Sequence, residues 1–232
     1  MSEDTNIDST TNLRQGYGLI QLFTGNGKGK TTAALGEAIR AFGAGKKVGI
    51  VYFDKGGTHY SERAALDRLA MFNRPAGCGD PAYIRASLPL SDAESSTPAS
   101  LPISEGELGG GEIAYLATGR DRIDPTTGQF DFSINDADKV EARRGLAAAR
   151  FFFDKACDLV VLDEINVAAS IGLVSPDDVL ALIDAKPERT EVILTGRNAP
   201  ESILARAHLV TEMLERKHYF HSGVKAREGI EY

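Results

Sequence analysis

Apolar residues along this chain gather into short continuous runs, each ended by glycine, acidic or polar residues. The first run, Leu19, Ile20, Gln21, Leu22 and Phe23, meets a glycine-rich turn, the mark of a buried strand. From Lys30 the spacing changes: Leu35, Ala38, Ile39 and Phe42 recur on one face, which predicts a helix with Gly43 as its left-handed stop. Val48, Gly49, Ile50, Val51, Tyr52 and Phe53 form a second run. Strand, turn, helix and strand in this succession make a βαβ unit, and its two strands are expected to be parallel neighbours.

The C-terminal half repeats the pattern. A helical stretch over residues 137–157 feeds Leu159, Val160, Val161 and Leu162, and Asp163 ends that run. A helix opens at Ser175 and Pro176, another strand runs over 191–195, a short helix over 201–206 and a last strand over 209–213. Continuous apolar strands, unlike alternating ones, call for a sheet covered on both faces. The expected fold class is therefore α/β, a mostly parallel sheet with helices on both faces.

Length and composition bound this picture. A chain of 232 residues holds one sizeable core, placed at 16–232, after a polar tail at 1–15 that lacks the large apolar groups needed to offset its ordering. Residues 74–129 read as an insertion whose middle, 91–111, is rich in Ser, Pro, Gly and acidic residues and favours a flexible loop. Within it, 112–117 is a candidate strand. The insertion reads as a tolerated surface loop in preference to a ligand lid.

With 42% hydrophobic and 25% charged residues the chain is ordinary globular material, and no apolar run approaches the ~20 residues that span a bilayer. The acidic, polar start has no export signal, so a cytoplasmic, non-membrane protein is expected. Cys78 and Cys157 lack C-x-x-C spacing and are expected to be free thiols. A formal net charge of -7 disfavours general nucleic-acid binding but leaves room for a local polyphosphate pocket.

Such a pocket is written between the first strand and helix: Thr24, Gly25, Asn26, Gly27, Lys28, Gly29, Lys30, Thr31 and Thr32. Glycines let backbone N–H groups approach an anion, and the following helix N-terminus favours negative charge. Lys30 supplies a cation for phosphate and Thr31 a hydroxyl for Mg²⁺. The motif G-x-x-x-x-G-K-[ST] is met except at its first position, where Thr24 stands. A dinucleotide fingerprint G-x-G-x-x-G fails because Lys30 occupies its third glycine. Magnesium also needs carboxylate, and Asp163 and Glu164 follow a buried run at a strand end, where such a group is held rigidly. Adjacent carboxylates point different ways, so one of the two is expected to reach the metal. A plainer alternative is a helix-capping Asp beside a solvated Glu.

Four segments together resemble the P-loop type of ATP:corrinoid adenosyltransferase. They are loop 24–32, residues 161–166 around Asp163 and Glu164, residues 195–200 around Arg197, and residues 217–232. The likeness covers most of 18–232 outside the insertion. It implies a P-loop NTPase-like (RecA-like) fold and transfer of the 5′-deoxyadenosyl group of ATP to a corrinoid reduced to Co(I), with triphosphate leaving. It also implies Mg²⁺ (or Mn²⁺), a homodimer whose N-terminal segment covers the neighbour's nucleotide, and a reductase partner that takes Co(II) to Co(I). By the same resemblance Lys30, Thr31 and Glu164 act in catalysis, and Arg40 is a helix arginine of the nucleotide site. The family sets a Phe-x-Trp pair against the lower face of the corrinoid; here Phe130, Asp131 and Phe132 stand in that place, with a plainer alternative as a core anchor. Arg197 can reach phosphate or the corrinoid rim, or pair with a nearby acid. His218 and His221 are expected to be structural. The competing readings are a generic P-loop ATPase or kinase, and a non-catalytic, nucleotide-gated corrinoid-binding module.

Overall fold

The computed structural model describes residues 16–57, 60–72, 111–122, 131 and 133–232. Among the described residues six strands run parallel in one sheet: β1 (Ile20–Thr24), β2 (Lys47–Tyr52), β3 (Glu112–Ala117), β4 (Leu159–Asp163), β5 (Glu191–Thr195) and β6 (Leu209–Glu212). Their order is β3-β2-β4-β5-β1-β6. The α/β class with a parallel sheet is as expected, but β1 and β2 are not neighbours. β4 and β5 lie between them, with Tyr52 paired to Asp163 and Phe23 to Thr195. The apolar pattern specifies strands and their direction, whereas strand order depends on which later strands fill the gap that the first crossover leaves.

The crossover helix α1 (Lys30–Gly43) buries Lys30, Ala34 and Ala38, while Ile39, assigned to the same face, is 50% exposed. Gly43 is not the stop either. The helix is capped by Ala44, and the left-handed residue is Gly45 at φ 80°. Two further helices were not anticipated: α2 (Ser61–Phe72) and the short α4 (Ile165–Ser170). The long helix α3 (Asp136–Asp154) opens on a capping box in which the Asn135 side chain accepts from the Asp138 N–H and Asp138 accepts from the Asn135 N–H. Ser175 and Asp178 make the same box before α5 (Pro176–Asp184), with Pro176 at the first turn. Helix α6 covers Glu201–Leu204 and ends short of Arg206.

Alternation along the buried strands builds two cores. Val160, Leu162, Val192 and Leu194 pack with Phe152 and Phe153 of α3 and with Val179, Leu182 and Ile183 of α5. Leu159, Val161 and Ile193 face the other way, onto Ala34 and Ala38 of α1 and Leu66 of α2. Each fully buried Leu or Ile in these layers contributes roughly 1.5–3 kcal/mol. Strand β3 lies inside the segment read as an insertion, yet it pairs with β2 along its whole length from Lys47 to Tyr52. Strand β6 departs from the expected two-sided cover: all of its residues are exposed. Among the described residues no helix is long and apolar enough to cross a membrane. Cys157 is a buried free thiol, which burial pushes up to about 12, and Cys78 lies outside the described residues.

Candidate functional site

The carboxyl ends of β1, β2, β4 and β5 converge, and in open parallel sheets this is the edge where ligands bind. Thr24 ends β1, and loop 24–32 turns from it into α1, with Gly29 at the helix N-cap. Gly25 and Gly29 hold φ at 92° and 120°, conformations open to glycine alone at little cost. Gly27 is glycine for a different reason. A Cβ there would lie 2.7 Å from the carbonyl oxygen of Met213, to which the Gly27 N–H donates at 2.6 Å. The loop is therefore seated on the chain just past β6, where the Met213 N–H also donates to the Thr24 carbonyl at 2.9 Å.

Lys30 is buried, and its ammonium donates to the carbonyl oxygens of Gly25 (2.7 Å) and Gly27 (2.8 Å). Burial pulls its pKa down, with Glu164 opposing. Bonded to neutral carbonyls alone, its charge is available to an anion at the helix N-terminus. Asn26, Lys28 and Thr32 are exposed at the rim. Lys28 donates to the carbonyl of Ile230 (2.8 Å) and pairs with Glu231 (2.9 Å), which Arg227 and Tyr219 also engage. Residues 217–232 thus meet the rim of the phosphate loop at Lys28.

Asp163 and Glu164 do converge, against the expectation that adjacent carboxylates point apart. Glu164 adopts a left-handed conformation, φ 61°, which turns the chain at the strand end and brings both carboxylates to one side. Both face Lys55: its Nζ lies 2.5 Å from Asp163 Oδ2 and 3.9 Å from Glu164 Oε1, and it donates to Thr31 Oγ1 at 3.1 Å. Burial draws the Lys55 ammonium down, but Asp163 and Glu164 outweigh it and hold it above its ordinary value. Burial pushes Glu164 up, with the Lys55 charge opposing. The other oxygen of Asp163 accepts from the Thr195 hydroxyl. The Asp163 carboxylate is taken by Lys55 and Thr195, and Glu164 at the N-cap position makes no side-chain cap, so the alternative of a helix-capping Asp does not describe this pair.

Lys55 and Thr195 are the site residues that sequence reasoning missed. Lys55 was detectable in principle, since it follows the second apolar run just past a strand's carboxyl end. Arg197 is exposed after β5, near enough for its charge to act on Lys30 and Glu164, and it forms no ion pair among the described residues. Arg40 is not brought to the loop. It stands exposed in the last turn of α1, ten residues beyond Lys30 and about 15 Å along the helix axis. Phe130 and Phe132 lie outside the described residues. Asp131 between them is described: its carboxylate pairs with Arg120 at 2.5 Å, and its N–H donates to the Arg122 carbonyl at 2.8 Å. His218 accepts from the Phe220 N–H and His221 meets Glu215 at 2.6 Å, local roles as expected.

Among the described residues no group of three or more His, Cys, Asp or Glu could hold a metal unaided. A hard cation here would take the hydroxyl and carboxylates with phosphate and water oxygens, the usual Mg²⁺ arrangement.

The family model for ATP:corrinoid adenosyltransferase BtuR/CobO/CobP matches residues 16–88 and 111–232, and its interruption falls on the Ser-, Pro- and Gly-rich stretch. The corrinoid adenosyltransferase of Escherichia coli strain K12 is 32% identical over 216 residues, 93% of this chain and 86% of its own length. That of Pseudomonas aeruginosa is 32% identical over 219 residues, 94% and 86% of the two chains. Corrinoid adenosyltransferase CobA of Salmonella typhimurium is 33% identical over 215 residues, 93% and 86%. With its loop and paired carboxylates inside the matched residues, this chain belongs to the ATP:corrinoid adenosyltransferase family and is an enzyme that transfers the adenosyl group of ATP to a corrinoid.

Proposed function

We propose that loop 24–32 holds the triphosphate of ATP as a leaving group, while the Co(I) centre of the corrinoid substrate attacks C5′ of the ribose. The Co–C bond forms as the C5′–O bond breaks, and the electron pair departs with the triphosphate. Negative charge then accumulates at the bridging oxygen, where preorganised donors have most effect. Lys30, the N-terminus of α1 and the loop amides supply those donors, and the single observation that carries the reading is their convergence with Thr31, Asp163 and Glu164 at one sheet edge.

The fit of a divalent ion is supported by a stand-in cation: the Lys55 ammonium already draws Thr31 Oγ1 and both carboxylates to one point. Mg²⁺ (or Mn²⁺) held by Thr31, Asp163 and Glu164 would supply charge neutralisation for the triphosphate. Asp163 is the firmer ligand because its second oxygen is fixed by Thr195, whereas Glu164 reaches in from the rim. Arg197 is assigned to the phosphates or the corrinoid rim.

On the corrinoid side, the family resemblance assigns Phe130 and Phe132 to an aromatic wall for the lower face of the ring. The support is the anchoring of Asp131 between them by Arg120, together with the ion pair of Arg120 to the buried Asp138 of α3 at 2.9 Å. A cytoplasmic homodimer served by a reductase completes the reading, from the family alone. Replacing Lys30 by Ala removes the cation on the leaving group and is expected to abolish turnover with the fold intact; near-normal activity would reject the loop's proposed role.

A further inference from the structure

The Lys55 ammonium sits on the oxygens that a metal held by Thr31 and Asp163 would need. It is bonded to Thr31 Oγ1 and Asp163 Oδ2 and lies within ion-pair distance of Glu164. Magnesium binds oxygen at about 2.0–2.1 Å and would need those same atoms. We propose that Lys55 is a built-in competitor of the metal: it holds Thr31 and Asp163 in ligand arrangement, excludes a bare divalent ion, and gives way when the ion arrives with a triphosphate. The inference rests on the assignment of Thr31, Asp163 and Glu164 as metal ligands.

The surroundings suit a side chain that moves on a backbone that does not. The Lys55 N–H donates to the Thr118 carbonyl at 2.9 Å, and the Arg63 guanidinium holds the carbonyls of Lys55 and, at 2.8 Å, of Gly57. The adjoining Asp54 is tied to Arg122 at 2.7 Å. Beyond the first bond, only the flexible four-carbon stem is free to swing. The Tyr52 and Tyr60 rings lie 5.8 Å from Nζ and offer a cation–π face to a displaced ammonium. A bare ion would have to expel a charge-paired ammonium using protein oxygens alone. An ion carrying triphosphate brings further oxygens and gives the expelled ammonium an anion to face. Metal and nucleotide binding are thereby coupled through one side chain.

Titration with Mn²⁺ followed by electron paramagnetic resonance tests this on the full chain, with and without ATP. The wild-type protein is expected to bind Mn²⁺ weakly alone and tightly with ATP. Lys55→Met should bind Mn²⁺ alone at least about tenfold more tightly, because the competing charge is gone. Lys55→Arg, which retains a cation, should stay weak. A structural disturbance would weaken Mn²⁺ binding, not tighten it, and folding is followed by near-UV circular dichroism. If wild type binds Mn²⁺ with ATP but Lys55→Met gains no affinity, the competitor role is overturned while the metal site stands. If wild type with ATP fails to bind Mn²⁺, the ligand assignment and this inference fall together.

Discussion

The Thr195 hydroxyl donates to Oδ1 of the buried Asp163 at 2.7 Å, and Thr195 Oγ1 in turn accepts from the N–H of Glu164 at 3.0 Å. One side chain at the end of β5 thus orients the acidic pair at the end of β4. Thr195→Val keeps the shape and removes both bonds. Leaving a buried carboxylate oxygen and an N–H unpaired costs about 1–3 kcal/mol each in general. A drop in urea midpoint is expected together with weaker metal-dependent ATP binding, and Thr195→Ser should restore both. A valine variant equal to wild type in both measurements would remove Thr195 from the site.

Gly49 in β2 faces the ring of Phe152, and a Cβ there would lie 2.4 Å from it. Neither the strand nor the long helix α3 can retreat without opening the core on that face. Gly49→Ala is expected to cost about 1–3 kcal/mol as overpacking. Equilibrium denaturation should show a lower midpoint at unchanged slope. Pairing it with Phe152→Leu should recover part of the loss, whereas simple additivity would contradict the contact.

The contacts of Glu231 with Lys28, Tyr219 and Arg227 fasten residues 217–232 to the rim of the phosphate loop. These groups are at the surface, so Glu231→Gln should leave global stability nearly unchanged. Its effect should be local: the variant is cleaved faster within residues 217–232, and salt, which screens the wild-type ion pairs, should speed the same cleavage in the wild type. Cleavage rates identical in the two proteins would show that the fastening is immaterial.

Strand β1 is tied to the start of β6 by the Ile20 N–H, which donates to Nδ1 of His208 at 2.9 Å. That bond needs an unprotonated nitrogen. Burial lowers the His208 pKa, helped by the charges of Lys186 and Arg206. Since the folded value lies below the unfolded one, the unfolded chain binds more protons between them. Stability from this group is full above the ordinary histidine range, about 6.5, and lost as pH falls through the lower folded value. Thermal midpoints measured from neutral to mildly acidic pH should fall more for wild type than for His208→Gln. Parallel profiles would reject the linkage.

The strands were legible because residues such as Leu159, Val160, Val161 and Leu162 are buried on both faces and leave little ambiguity in type. Strand order was not. Nothing local in Val48 or Ile50 says that β4 will pair where β1 was expected, since that choice is made by the whole sheet. Ile39 shows a similar limit: helical spacing placed it on the buried face, but small residues, Ala34 and Ala38, let α1 approach the sheet and leave Ile39 outside. In the site, the phosphate loop and acidic pair were readable because their chemistry is contiguous in sequence. Lys55 and Thr195 were not assigned because their meaning comes from Asp163, which lies 108 and 32 residues away.

The most direct test is product balance in a single turnover. Protein in excess over chemically reduced corrinoid, with ATP and Mg²⁺, should yield a light-sensitive Co–C product and one equivalent of intact triphosphate for each bond formed. Adenosylation accompanied by phosphate or pyrophosphate release within the same turnover, or nucleotide consumed without a Co–C bond, would contradict the assignment of loop 24–32 as the holder of a departing triphosphate.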